Sequence, residues 1–151
     1  MNVGIVIYSE TGNTKSVAQK AQDRIGGAGH NAEILEVKAD KSRLKLTDVP
    51  PVEGYDMLCL GSPVHAFTLA NPMKLFLKEL PPLDGERVTF FATQALPFSW
   101  LGGNRAMRVF HRSVVEKQGK PLRAGTVQWA SRGKDQEIEA IVATIVQSID
   151  S

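Results

Sequence analysis

The sequence has a single cysteine, no long apolar run and almost no excess of charge, and each shortage excludes a class of protein. Cys59 is the only cysteine among 151 residues, so no disulfide can form within the chain. No apolar stretch reaches the roughly 18 residues that cross a bilayer, and the N-terminus lacks the basic and apolar regions of a signal peptide. We therefore expect a cytoplasmic protein without membrane insertion.

The charge balance and the histidines exclude two further classes. Lys and Arg number 18 against 16 Asp and Glu, and this net charge of +2 is too small to predict nucleic-acid binding. His30, His65 and His111 are too scattered for a metal site, and no cysteine pair is present to complete one. The length and ordinary composition predict a single domain over residues 1–151.

Short apolar runs alternate with segments of helical spacing. Val3–Tyr8 is rich in β-branched residues and predicts a strand buried on both faces; further strands are predicted near 33–37, 55–61, 87–93 and 123–130. Helices are predicted from Thr14, from Asn71 as N-cap with Pro72 at the first helical position, over 105–118 and over 138–149. Five such β-α cycles predict a doubly wound three-layer α/β sandwich with a five-stranded parallel sheet. The irregular segment Lys38–Gly54 is interpreted as a surface connection.

The loop after the first strand predicts an anion site. Three hydroxyls, from Ser9, Thr11 and Thr14, surround Gly12 between a buried strand and a helix N-terminus. The positive end of a helix and its free N–H groups bind anions, and glycine lets a phosphate approach the backbone closely. The alternative is an ordinary polar N-cap turn. The patterns of nucleoside triphosphatases and of dinucleotide-binding proteins are both absent from this loop.

These residues resemble those of a known family. Tyr8–Thr14 is similar to the Ser/Thr-x-Thr-Gly-x-Thr phosphate loop of flavodoxins, which hold the 5′-phosphate of FMN. The likeness continues in Leu60–Val64 and Ala92–Ala95, where flavodoxin-like proteins contact the isoalloxazine ring. The resemblance implies a short-chain flavodoxin-like fold with strand order 2-1-3-4-5 and FMN as cofactor. The phosphate-loop residues it implies are Ser9, Glu10, Thr11, Gly12, Asn13 and Thr14.

Two more loops are implied to hold the flavin ring. After the third strand the candidates are Ser62, Pro63, Val64, His65, Ala66 and Phe67. After the fourth they are Thr93, Gln94, Ala95, Phe98, Trp100, Gly102 and Gly103. The sequence departs from the usual flavodoxin pattern of an aromatic near a Gly-Asp pair, so the stacking residue stays open. For the loop after the third strand, the alternative is a structural turn with Phe67 in the core. For the loop after the fourth strand, the alternative is a loop that folds back on the core. His65, with an ordinary pKa near 6.5, is interpreted as a side chain that changes charge across physiological pH and, as a cation beside the ring, favours the anionic hydroquinone.

The resemblance implies a flavodoxin that carries low-potential electrons between redox partner proteins, and no catalytic residue is nominated. A rival function is an FMN-dependent reductase that takes hydride from NAD(P)H and passes it to a quinone. The predicted third helix keeps this rival open because Arg105, Arg108 and Arg112 form one basic edge. A second functional interpretation is that the edge steers an acidic redox partner. The structural alternative is a solvated helix face without a further role. A third possibility is a binding module that has the fold but no flavin.

Overall fold

The described residues form eight strands, numbered in chain order, of which five are long and parallel. The computed structural model describes residues 1–95 and 102–150. The parallel strands are β1 Asn2–Ile7, β2 Asn31–Glu36, β5 Met57–His65, β7 Arg87–Gln94 and β8 Lys120–Gln128. Their order across the sheet is β2-β1-β5-β7-β8, which is 2-1-3-4-5 when they are numbered among themselves. The predicted parallel sheet and its strand order are therefore confirmed.

Helices cover both faces of this sheet. In the described part of the chain they are α1 Asn13–Gly27, α2 Asn71–Glu79, α3 Gly103–Glu116 and α4 Lys134–Ile149. Side chains alternate along a strand, so Val3 and Ile5 join one apolar cluster with α1 and α4. Val6 and Tyr8 join the other cluster, with α2 and α3. The three-layer sandwich is confirmed, and both clusters are closed to solvent at their centres.

The second β-α cycle differs from the prediction because residues 37–56 contain no helix. Two short strands, β3 Lys38–Ala39 and β4 Leu46–Asp48, pair there in antiparallel fashion. Pro50 and Pro51 follow, and they cannot donate backbone hydrogen bonds to a helix. Five complete β-α cycles were therefore a wrong expectation, whereas a surface connection in this region was correct. The connection still covers the sheet, because Val37 and Val52 are buried in the cluster of α2 and α3.

The third parallel strand runs four residues beyond its predicted end. It continues through His65 and turns back into β6 Thr68–Leu69, which pairs with it in antiparallel fashion. The two residues of the turn, Ala66 and Phe67, have φ angles of 49° and 66°. Such two-residue turns usually carry Asn or Gly, which tolerate positive φ, and the sequence Ala-Phe gives no such signal. The expected open turn from Gly61 is instead a strand followed by a tight hairpin.

Helix α2 also begins differently. Ala70 occupies the N-cap position, and Asn71 is the first helical residue. The Asn71 side chain makes no capping bond, since its Nδ2 donates to the carbonyl oxygen of Arg43 at 2.6 Å. Asn71 was wrongly predicted as the N-cap because a distant partner competes for its amide. Other boundaries shift by one to four residues, and β8 starts at Lys120 with an irregularity between Arg123 and Gly125.

The cysteine of the sequence lies in the interior of the fold. Cys59 is buried, and burial raises the pKa of its thiol to about 12, so the thiol stays protonated and unreactive.

Among the helices of the described residues, none combines the length and the apolar character that spanning a bilayer requires.

A carboxyl group at the amino end of the sheet makes stability depend on pH. Burial, helped by the charge of Asp56, raises the pKa of Glu86 to about 7, and its Oε1 has no hydrogen-bond partner among the described residues. The folded state thus binds the proton more tightly than the unfolded chain, so stability falls as pH rises from about 4.5 to 7. We expect Glu86→Gln to raise the melting temperature at pH 8 more than at pH 5.

The matched control is Glu79→Gln, which changes an exposed glutamate on α2. Its melting temperature should differ from that of the wild type by the same amount at both pH values. If Glu86→Gln behaved like this control in thermal unfolding, Glu86 would not carry the pH dependence.

Candidate functional site

The loop between β1 and α1 leaves a helix N-terminus open. Gly12 is the N-cap residue of α1, with a φ of 89°, and as a glycine it has no side chain of its own to cap the helix. A Cβ at Gly12 would have no described atom within 4 Å, and Thr11 and Gly12 are exposed. The positive end of α1 therefore faces open space across a glycine, as an incoming anion requires.

Two of the three hydroxyls of this loop, those of Ser9 and Thr14, are held by hydrogen bonds. Thr14 is buried, and its Oγ1 lies 2.8 Å from Oγ1 of Thr93 at the end of β7. The Ser9 hydroxyl accepts a bond from the backbone N–H of Lys15 at 3.3 Å. The backbone N–H of Tyr8 donates to the carbonyl of Gly61 on β5 at 3.2 Å. The segment from Tyr8 to Thr14 is thus hydrogen-bonded to both β5 and β7.

Glu10 accepts hydrogen bonds from Tyr8 and from Arg43, which lies in the helix-free connection between β2 and β5, and we call this arrangement the clamp. The Tyr8 hydroxyl and Nε of Arg43 both donate to Oε1 of Glu10, and Nη2 of Arg43 donates to Oε2 at 2.6 Å. The bonds from Arg43 are the main reason that the pKa of Glu10 lies below its ordinary value. Bidentate Arg–carboxylate pairs of this kind are geometrically specific. The clamp therefore places a neutralised carboxylate beside the open helix end.

His65 lies against this clamp, in surroundings that lower its pKa. Its Nε2 is 4.0 Å from Oε2 of Glu10, and its ring meets the Tyr8 ring edge-on with centroids 6.4 Å apart. Burial lowers the pKa of His65, and this effect outweighs the opposing effect of Glu10. A cationic imidazole at neutral pH, the interpretation based on its ordinary pKa, is therefore disfavoured by its surroundings.

The loop after β5 displays an aromatic side chain. Ser62 is buried and its hydroxyl donates to the carbonyl of Pro63 at 2.9 Å, while Val64 is partly buried. Ala66 is exposed, and the Phe67 side chain is 57% exposed on the hairpin turn. The alternative of Phe67 in the core is therefore wrong. Its ring is presented at the carboxyl edge of the sheet.

The fourth loop touches this hairpin. Thr93 and Gln94 are buried at the end of β7 and Ala95 is exposed, whereas Phe98 and Trp100 lie outside the described residues. A Cβ at Gly102 would lie 2.6 Å from Cγ1 of Val64 and 2.8 Å from the backbone of Phe67. At Gly103 it would lie 3.0 Å from the Thr126 side chain. Only glycine at position 102 lets the loops after β5 and β7 come this close.

The structure thus brings three of the predicted segments to one edge of the sheet. The loops after β1, β5 and β7 follow adjacent strands, beside the point where the strand order reverses. Ligands of open α/β sheets bind at such points. Sequence reasoning missed Arg43 and the role of Tyr8. Arg43 lies 33 residues from Glu10 in an irregular segment, so no spacing pattern signals their contact.

The predicted basic edge of α3 is present on the surface. Arg105, Arg108 and Arg112 are all exposed, beginning in the first turn of the helix just after Gly102. Beside this edge, Arg123 of β8 donates from Nη2 to Oδ1 of Asn104 at 3.2 Å. The edge therefore starts beside the candidate site and runs away from it along α3.

Comparison with known proteins identifies the class of fold. No protein-family model and no curated protein matches the chain. The flavodoxin of Streptococcus pneumoniae TIGR4 matches with a TM-score of 0.74 at 16% identity, over 99% of both chains. Flavodoxin 2 from Bacillus cereus gives 0.72 at 18% identity over the whole of both chains. A Fusobacterium nucleatum flavodoxin bound to flavin mononucleotide gives 0.69 at 16% identity, over 99% of this chain and 97% of that one.

The chain therefore has the flavodoxin-like fold, within the class of doubly wound α/β proteins. The resemblance predicted from the first loop is confirmed at the level of structure. It extends over the whole length, including the strand order that the motif alone could not supply.

The contact at Gly102 can be tested by adding one methyl group. Gly102→Ala places a Cβ against the Phe67 backbone at a φ of 129°, which alanine rarely adopts. We expect the free energy of unfolding in urea to fall by about 1–3 kcal/mol. The control is Gly27→Ala at the end of α1, where a Cβ has no described atom within 4 Å. Equal stabilities for both variants would mean that the two loops do not press together.

Proposed function

We propose that this protein binds one FMN noncovalently and carries low-potential electrons between redox partner proteins. The observation that supports this most is the N-terminus of α1 at the point of strand reversal, where the N-cap residue Gly12 leaves open space and Thr14 is bonded across the site to Thr93. The fold is that of flavodoxins, one of which is described as bound to flavin mononucleotide. A cytoplasmic location belongs to the same proposal.

The residues present fit the two ends of this cofactor. A phosphate fits at Gly12, where no side chain occupies the space before the helix, with Ser9, Thr11 and Asn13 around it. The isoalloxazine ring fits beside the loop of Ser62–Phe67 and the segments Thr93–Ala95 and Gly102–Gly103, with Phe98 and Trp100 as further candidates. Bound FMN supplies the redox chemistry, and the protein supplies position and electrostatics.

The chain's own residues then have distinct tasks. The positive end of α1 binds the phosphate and sets the depth of the cofactor. The buried ends of β5 and β7, at Ser62 and Thr93, keep water from the inner side of the ring. The Arg43 clamp neutralises Glu10, which would otherwise repel a phosphate. The exposed Phe67 limits access from the outer side.

A reductase that oxidises NAD(P)H and reduces a quinone is the second candidate. The observation that favours it is the exposed edge of Arg105, Arg108 and Arg112, which starts at the candidate site. Guanidinium groups suit the phosphates of a nicotinamide cofactor because they bind oxygens in pairs. The carrier is preferred because the solved structures that match this chain over nearly the whole of both chains include flavodoxins.

The deciding experiment is a titration of the flavin-free protein with FMN and, separately, with riboflavin. We expect quenching of flavin fluorescence at one equivalent of FMN and weaker binding of riboflavin, which lacks the phosphate. Absence of FMN binding would refute the proposal and favour a module without flavin. Catalytic oxidation of NAD(P)H with a quinone by the loaded protein would favour the reductase instead.

The clamp predicts opposite effects of two variants on FMN affinity. Glu10→Gln removes a negative charge near the phosphate and frees Arg43, so FMN should bind about threefold to tenfold more tightly. Arg43→Gln leaves the Glu10 carboxylate without its cation, so FMN should bind more weakly by a similar factor. Fluorescence titration at low ionic strength measures both dissociation constants.

Riboflavin provides the control for these variants because it carries no phosphate charge. Its affinity should be the same in the wild type and in both variants. Parallel changes for riboflavin and FMN would show that the clamp acts through the shape of the site and not through charge.

A further inference from the structure

The helix-free connection has opposite charges in its two halves. Residues 38–45, which we call the basic loop, carry Lys38, Lys41, Arg43 and Lys45 against a single acid, Asp40. Residues 46–56 carry three acids, Asp48, Glu53 and Asp56, and no lysine or arginine. A solvated connection with no further role has no reason to separate its charges in this way.

The two halves pair with each other where β3 meets β4, with Lys38 opposite Asp48, and the acidic half then runs to the opposite edge of the sheet. The basic loop is fixed to the carboxyl edge, because Arg43 binds Glu10 and its carbonyl accepts the amide of Asn71. The acidic half ends at the amino edge, where Oδ2 of Asp56 accepts the backbone N–H of Asn2 at 2.7 Å. Cations are thus concentrated beside the candidate site, and Arg105 at the start of α3 adds to them.

The basic loop holds a definite shape. The N–H of Asp40 donates to the carbonyl of Lys45 at 3.0 Å, and the N–H of Arg43 donates to the carbonyl of Asp40 at 3.1 Å. The Ser42 hydroxyl donates to Asp40 at 2.6 Å and accepts the N–H of Leu44 at 3.1 Å. Arg43 has a φ of 61°, which a non-glycine residue adopts only where the surroundings impose it.

This shape presents an apolar side chain between two lysines. Leu44 is 74% exposed, more than any other large apolar residue of the described chain. Lys41 and Lys45 flank it and are exposed. An ordered loop with a central apolar residue and cations around it matches the anatomy of protein interfaces, in which an apolar centre is surrounded by a polar rim.

We propose that the basic loop is the docking surface for an acidic redox partner protein, with Lys41 and Lys45 paired to its carboxylates and Leu44 in apolar contact. The inference rests on the proposed function, since docking here brings a partner to the edge where the flavin would lie. An acidic protein fits better than an anionic membrane, because one leucine supplies only about 1.5–3 kcal/mol of apolar burial. Surface charges of this kind act mainly on the rate of association.

The test measures electron transfer to the FMN-loaded protein from a reduced plant-type [2Fe–2S] ferredoxin, used as an acidic redox protein. The double variant Lys41→Gln with Lys45→Gln is compared with Lys78→Gln with Lys120→Gln, which removes the same charge from exposed positions towards the amino edge. We expect the first pair to lower the second-order rate constant at low salt about threefold to tenfold and to weaken its salt dependence. The second pair should change the rate less than twofold.

Leu44→Ser separates the apolar contact from the charges. It should lower the rate by the same factor at low and at high salt, and so leave the salt dependence unchanged, because salt screens the charges and not the apolar contact. Equal effects of the two lysine pairs would overturn the proposal, because only net charge would then matter. Binding of the protein to phosphatidylserine vesicles through Lys41 and Lys45 would overturn it in favour of a membrane.

A measurement without flavin keeps this inference separate from the proposed function. Ferredoxin is added to the 15N-labelled, flavin-free protein, and amide chemical shifts are followed by NMR. Shifts at residues 38–45 that vanish at high salt support the docking surface even if no FMN binds. Shifts confined to other surfaces overturn it even if FMN binds as proposed.

Discussion

Burial of the parallel sheet on both faces is the constraint on which the rest of this structure depends. Its inner strands are apolar on both sides, and helices cover each side. The packing is tight enough that a Cβ at Gly61 would lie 2.3 Å from the Phe91 ring. Polar chemistry is therefore possible only at the edges of the sheet. At the carboxyl edge three loops meet, and side chains that are far apart in sequence become neighbours.

The parts that the sequence could predict are those with local signals. The run Val3–Tyr8 has the apolar pattern of a buried strand, and the loop up to Thr14 has a glycine and hydroxyls at fixed positions. Each of these predictions depends only on residues that are close together in the sequence. The strand order needed the family resemblance, because crossovers leave no trace in spacing. Flavin contacts of the individual loop residues stay predictions.

The parts that could not be predicted depend on contacts between distant segments. Ala66 and Phe67 form a tight turn without glycine because the pairing of β5 with β6 imposes it. Asn71 has the residue type of an N-cap, yet its amide binds the Arg43 carbonyl. Arg43 itself carries no signal beyond its charge. In each case the energetic preference of a single residue is overridden by a partner supplied by the fold.

The missing helix between β2 and β5 has a consequence for how the molecule opens. No residue of β2 is fully buried, whereas five of the six residues of β1 are, so the β2 edge has the least cover. Amide hydrogens there should exchange first, through local unfolding that spares the centre of the sheet. Because Arg43 lies in the connection that follows β2, unfolding that spreads into this connection would also release Glu10 beside the phosphate loop. Occupation of that loop by an anion and protection of the β2 edge from exchange are thus linked through one side chain.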